Sequence, residues 1–282
     1  MGTNRESPRC RANDGGVVAR SIRGGGLALL AVLVSCASDP AGDSAKSAAA
    51  EYDHVVVFVP DDEFRRWLSG FLTPAAALET RHEGQGTRGR YFLLLDSFIE
   101  LLSLEDEAEA RANHAAFGSD YVERWSGDAD VSPFAVGLTV ATLEPADAPF
   151  DATLYASKDG AGRYLMARGN ADLASPLIYA TGRDRAYRRR ESISEVEAIE
   201  DPVRREEVRL YLTHPAGIER LTRVVLTVPA GQGDNANARM IDAPGRAEVV
   251  EGDAHHLLLE CDGGGSGRTM EFSGTPPVAS RY

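Results

Sequence analysis

The sequence predicts an α+β fold assembled from strand–helix–three-strand units, and three observations carry that expectation. Tyr52 to Val59 is an apolar run rich in β-branched residues, which reads as a central strand. Phe64, Trp67, Leu68 and Phe71 then recur at i, i+3, i+4 and i+7, one apolar face of an amphipathic helix. Beyond a glycine-bearing turn lie two more apolar strands, Tyr91 to Leu95 and Phe98 to Leu104, reversed at Asp96-Ser97.

The N-terminal segment is expected to be a targeting sequence rather than part of the fold. Arginines 5, 9, 11, 20 and 23 precede a short apolar core, Leu27 to Val34, that is too short to span a bilayer. The core ends in Leu33, Val34, Ser35 and Cys36, an order that resembles the bacterial lipobox. That resemblance implies cleavage before a lipidated Cys36 and an extracytoplasmic protein anchored to the cell membrane or outer membrane. Residues 37–50, rich in Ala, Ser, Asp, Gly and Lys, read as a flexible tether. With Cys10 lost and Cys36 modified, Cys261 remains alone, so no intrachain disulfide is available, and its strand context suggests a buried thiol.

A net charge of −13 argues against nucleic acid as a partner. The one basic cluster, Arg183 to Arg190, is followed at once by an acidic stretch, and it reads as a solvated segment with self-compensating charge.

Along the chain, Pro60 stops the first strand and Asp61 can cap the helix, which Thr73-Pro74 ends. This first unit occupies residues 51–128 and includes a helix from Glu105 to Phe117. A middle unit, residues 129–218, is predicted to hold strands at Phe134–Ala141, Phe150–Tyr155, Tyr164–Ala167 and Pro176–Ala180, with Pro202 in the first turn of a later helix. In the last unit, residues 219–282, Leu221 to Pro229 looks like a repeat of Tyr52 to Pro60, with Arg223 standing where His54 stood. His256 to Glu260 echoes Phe92 to Asp96, and Thr269 to Phe272 echoes Phe98 to Leu101, which places Glu271 near the Glu100 position. The weak helix between them marks this repeat as partly degenerate.

The βαβββ order, with Asp53-His54 before a valine run, a turn bearing His82, Gly84, Gly86 and Thr87, and Glu100 in an apolar strand, resembles the vicinal oxygen chelate superfamily, in particular its glyoxalase-like domains. The resemblance implies curved mixed sheets forming a cup, with His54 and Glu100 converging from adjacent strands. It also implies one divalent metal ion held by His54 and Glu100, with Glu100 the catalytic candidate, and a small molecule with vicinal oxygens as substrate. His82, Thr87, Arg223 and Glu271 are the candidate ligand-binding residues. Pairing of two chains is a further expectation from the superfamily.

A carboxylate on so apolar a strand face must be paired, hydrogen-bonded or metal-bound. Three readings therefore stay open for Glu100: a metal site for a lyase, isomerase or dioxygenase, a metal-free binding cup, or a structural contact with His54. Arg223 cannot coordinate a metal and would instead pair with Glu100 or Glu271. Gly137 and Tyr179 fall where a second unit could supply ligands, and neither is a usual one. His82 also reads as an exposed loop residue, His214 as structural, and His114, His255 and His256 as surface or strand-edge residues.

Overall fold

A computed structural model describes residues 50–59, 68–75, 78–117, 122–157, 162–261 and 268–273. Eight strands form one mixed sheet: β1 (Glu51–Phe58), β2 (Thr80–His82), β3 (Thr87–Leu93), β4 (Phe98–Leu104), β5 (Phe134–Val140), β6 (Ala152–Ala156), β7 (Arg163–Ala167) and β8 (Leu177–Gly182). Their spatial order is β2-β3-β4-β1-β5-β8-β7-β6. Strand β1 lies parallel to β4 and antiparallel to β5, and β5 in turn lies parallel to β8. The sheet is thus two units of one topology joined back to back at β1 and β5, with β4 and β8 in equivalent places. This is the cup-forming arrangement of the vicinal oxygen chelate fold. A 3₁₀ turn, Pro145–Asp147, lies between β5 and β6. The helix expected over Phe64 to Phe71 falls largely outside the described residues, as do Trp67 and Cys36.

Strand periodicity separates two faces. Val55 and Val57 of β1, Val59 just past its end, and Ile99 and Leu101 of β4 enter the main core, whereas His54, Val56 and Phe58, with Phe98, Glu100 and Leu102, line the cup. Burying each large side chain on the core face contributes about 1.5–3 kcal/mol. The turn before β3 needs Gly86, whose φ is +68° and whose missing Cβ would sit 2.1 Å from the Asp106 carbonyl. Asp106 in turn caps α1 (Glu107–Phe117) through the Glu109 N–H.

The C-terminal unit forms a second sheet from β9 (Leu221–Pro229), β10 (Ala247–Gly252), β11 (His256–Cys261) and β12 (Arg268–Ser273), in the order β10-β9-β11-β12. It keeps the element order of the first unit but departs from its strand order. Here the parallel partner of β9 is β10, while the last strand, β12, reaches only β11. Its Leu221, Val224, Leu226, Leu257, Leu259, Met270 and Phe272 join the core behind the eight-stranded sheet, and Cys261 is buried with them. Asp96, in the β3–β4 turn, fastens the two sheets. It accepts from the Leu221 N–H at 3.2 Å and from Arg246 Nη1 at 2.6 Å.

The basic run is only partly the solvated segment expected: Arg183, Asp184, Arg188 and Arg189 are exposed, but the rest turns inward. Tyr187 and Arg190 are buried, and the Tyr187 hydroxyl donates to the Leu94 carbonyl at 2.6 Å. Arg183 and Arg189 both pair with Glu51 instead of with the acids that follow them. A further helix, α2 (Pro202–Leu212), carries Pro202 in its first turn and Asp201 as its cap, as the sequence suggests. A short helix, α3 (Ala236–Asp242), follows β9. His255 is buried rather than at the surface, and His256 is half-buried.

His214, just after α2, is structural. Its Nε2–H donates to the Leu93 carbonyl at 2.8 Å, and its Nδ1 accepts from the Thr73 N–H at 3.0 Å, which fixes the neutral tautomer. Burial drives its pKa from 6.5 down to about 4, against a smaller opposing effect of the Leu93 hydrogen bond. A histidine with a depressed folded pKa binds fewer protons when folded, so stability falls as pH drops from about 6.5 towards 4, by on the order of 3 kcal/mol for this residue. Urea unfolding of the full chain across that range is expected to show this acid loss, and His214→Gln is expected to lower overall stability while flattening the slope.

Candidate functional site

The concave face of the eight-stranded sheet encloses a pocket of about 700 Å³, counting the solvent at its mouth. Its walls are apolar, with Val56, Phe58, Leu102, Ala135 and Leu177 facing inward, and its ionisable centre is His54 of β1 with Glu100 of β4. Two ionisable side chains predicted to converge do so: His54 Nε2 stands 3.6 Å from Glu100 Oε2. That separation is a close ion pair rather than a hydrogen bond.

The remaining contacts of His54 depend on an irregularity in β1. The pairing with β5 shifts between Tyr52 and His54, so Asp53 is an extra, bulged residue. Adjacent strand residues ordinarily face opposite sides, but the bulge lets the Asp53 carboxylate turn to the ring beside it. His54 Nδ1 lies 2.7 Å from Asp53 Oδ2, and since a carboxylate only accepts, Nδ1 carries the proton. Asp53 Oδ1 accepts from the Tyr187 N–H at 2.9 Å and from the Thr139 hydroxyl at 3.3 Å. His54 Nε2 meets the Tyr179 hydroxyl at 2.5 Å, and the ring stacks on Phe98 with centroids 3.9 Å apart.

Glu100 is met on its other side by His82, whose Nε2 is 3.8 Å from Oε1, and by Tyr91. His82 is not an exposed loop residue. It is buried in β2, with Nδ1 3.0 Å from the Thr87 hydroxyl and Nε2 3.1 Å from the Tyr91 hydroxyl. Thr87 is buried behind His82 and positions it rather than lining the pocket. Gln85 donates to the Tyr164 hydroxyl across the cup, and Tyr164 stacks on Tyr155 with centroids 4.6 Å apart.

Burial is the largest single influence on His54, Glu100, His82 and Tyr91, and for His54 and Glu100 the neighbours reverse its sign. For His54 burial lowers the pKa, yet the hydrogen bond to Asp53 and the contact with Glu100 outweigh it, and the net value is raised. For Glu100 burial raises the pKa, but His54, His82 and Tyr91 together bring it below 4.5. Burial lowers His82 despite Glu100 and keeps it neutral near pH 7, and burial followed by the Glu100 charge holds the Tyr91 phenol protonated. The raised His54 contributes stability that is fully present below about 6.5 and lost as pH rises through its folded value. The depressed Glu100 contributes stability present above about 4.5 and lost as pH falls through its own.

Two predicted ligand-binding residues are elsewhere. Arg223 is half exposed on the second sheet, where it pairs with Glu248 and, at 2.7 Å, with Glu260, its register partner on β11. Because β9 has β10 and not β12 as its parallel neighbour, Arg223 does not occupy a place equivalent to that of His54. Glu271 is exposed on β12, 3.8 Å from His256.

The residues present do not fit the divalent ion that the fold suggests. The second unit brings Gly137 on β5 opposite His54, and Tyr179, the neighbour of Gly137 on β8, against its ring. Gly137 has no donor, and a Cβ there would come within 2.3 Å of the His54 ring, so the imidazole itself fills that space. Both ring nitrogens of His54 already have partners, and among the described residues no three His, Cys, Asp or Glu side chains converge as a metal site. A divalent site needs a donor set that these residues do not assemble.

No family model matches the chain, and no curated protein matches it. Among solved structures, a hypothetical protein from Staphylococcus aureus aligns at 10% identity over 73% of this chain and 88% of its own, with a TM-score of 0.42. Methylmalonyl-CoA epimerase from Mycobacterium tuberculosis aligns at 16% identity over 47% of this chain and 87% of its own, with a TM-score of 0.30. A mutant of 4-hydroxymandelate synthase from Streptomyces coelicolor aligns at 14% identity over 78% of this chain and 62% of its own, with a TM-score of 0.33. At these scores the fold stands on the strand order and register given above.

Proposed function

We propose that this chain is a small-molecule-binding protein of the vicinal oxygen chelate fold, with a metal-free cup, carried outside the cytoplasm on a lipid anchor at Cys36. The observation that carries the reading is the saturation of His54, which meets Asp53 at one nitrogen and Tyr179 at the other while its ring covers Gly137. In this reading His54 and Glu100 are a buried ion pair at the floor of the pocket rather than ligands of an ion. The apolar walls supply affinity for the body of a ligand, and the hydroxyls and amide of Tyr179, Tyr164, Thr181 and Gln85 supply orientation. A metal-dependent lyase, isomerase or dioxygenase would need a further donor; neither Gly137 nor Arg223 supplies it, and His82, the other imidazole beside Glu100, is bonded at both nitrogens to Thr87 and Tyr91.

Elemental analysis of the full chain, purified without chelators, is expected to show no stoichiometric divalent metal. Its melting temperature is expected to be the same with and without chelator or added Zn²⁺ and Mn²⁺, since a ligand at 100 times its Kd would stabilise by about 2.7 kcal/mol. Bound metal that is lost in Glu100→Gln would overturn the metal-free cup.

The anchor rests on the sequence around Cys36. No helix among the described residues is long and apolar enough to cross a membrane. In cells, Cys36→Ser is expected to abolish incorporation of labelled fatty acid and to leave the precursor uncut by lipoprotein signal peptidase. Unchanged labelling and processing would contradict the anchor.

A further inference from the structure

We propose that Arg185 is the receptor for an anionic group on the ligand, so that the cup takes a small molecule with an apolar body and a carboxylate. The inference rests on the cup reading and adds a chemical class to it. Arg185 ends the 3₁₀ turn that follows β8, and it lines the pocket together with Thr181. Its Nη1 is buried and has no hydrogen-bond partner among the described residues. A buried guanidinium N–H left unmade is costly, and a planar carboxylate is the group its forked donors match.

The carboxylates already in the cup do not serve this arginine. Asp53 is taken up by His54, Thr139 and the Tyr187 N–H, and Glu100 stands against His54 and His82. Three other arginines of the basic run are engaged elsewhere. Arg183 and Arg189 pair with Glu51, and Arg190 donates to the Arg188 carbonyl at 3.3 Å. The backbone that carries Arg185 is anchored close by. Two residues on, Tyr187 is buried and bonded through its N–H to Asp53 and through its hydroxyl to Leu94, so the segment bearing the guanidinium is pinned to the floor of the cup.

Benzoate and benzamide have nearly the same size and apolar ring and differ in charge, which makes them the probes. Calorimetric titration of the full chain is expected to show benzoate binding about tenfold or more tightly than benzamide. Arg185→Gln is expected to abolish that preference while leaving benzamide binding within about twofold, since only the charge-assisted contact is lost. Arg185→Lys keeps the charge without the fork and is expected to fall between the two. Circular dichroism and a thermal melt of each variant establish that it is folded. Equal binding of the two probes to the wild-type chain, or a benzoate preference that survives in Arg185→Gln, overturns the anion receptor and leaves the cup. Failure of both probes to bind the wild-type chain overturns the receptor and the cup reading together.

Discussion

The structure depends on a buried array of charge on two adjacent strands, Asp53 and His54 of β1 and Glu100 of β4, held within two apolar faces. Removing one partner from such an array leaves an unpaired buried charge and costs about 3–5 kcal/mol. The array exists because β1 bulges at Asp53, which brings a carboxylate to the same side as the imidazole next to it in sequence. It also exists because β4 lies parallel to β1 in a register that sets Glu100 level with Val56, one side-chain step from His54 on the same face. The raised His54 and the depressed Glu100 are two aspects of one interaction, and both are fully realised between about pH 4.5 and 6.5.

The two units of the large sheet are alike in topology and unlike in chemistry. The first supplies His54 and Glu100, while the second supplies an absent side chain at Gly137 and a phenol at Tyr179. The glycine is what allows His54 to lie across β5, and the phenol is what meets its second nitrogen. A cup that elsewhere could gather donors from both halves here closes a hydrogen-bonded network around one imidazole. Among the described residues, Arg185 Nη1 is a buried donor in the cup that these protein groups leave without a hydrogen bond.

Much of the first unit was legible in the sequence because period two on an apolar strand fixes which side chains share a face. Glu100, Phe98 and Leu102 followed from that alone, and the facing of His54 with Val56 and Phe58 did too. The role of Asp53 was not legible, since alternation sends neighbours to opposite faces and nothing local signals a bulge. Arg185 was hidden in a run that reads as solvated charge, because what draws the run inward is a distant contact, Tyr187 with Asp53 and Leu94. Gly137 and Tyr179 could be placed near the site, but their effect on His54 appears only once β5 and β8 are in register with β1. Arg223 and Glu271 were misplaced for a related reason. Likeness in element order does not determine which strands pair, and β9 pairs with β10 rather than with the strand bearing Glu271.

The protonation state of His54 separates the ion-pair account from a metal site most directly, and ring ¹³C and ¹⁵N NMR shifts of the full chain report it. The account predicts a cationic ring with both nitrogens protonated at pH 6.5, a titration midpoint above 6.5, and a fall in that midpoint in Glu100→Gln. A ring that is neutral at pH 6.5, with Nε2 unprotonated and shifting on addition of Zn²⁺, would contradict it.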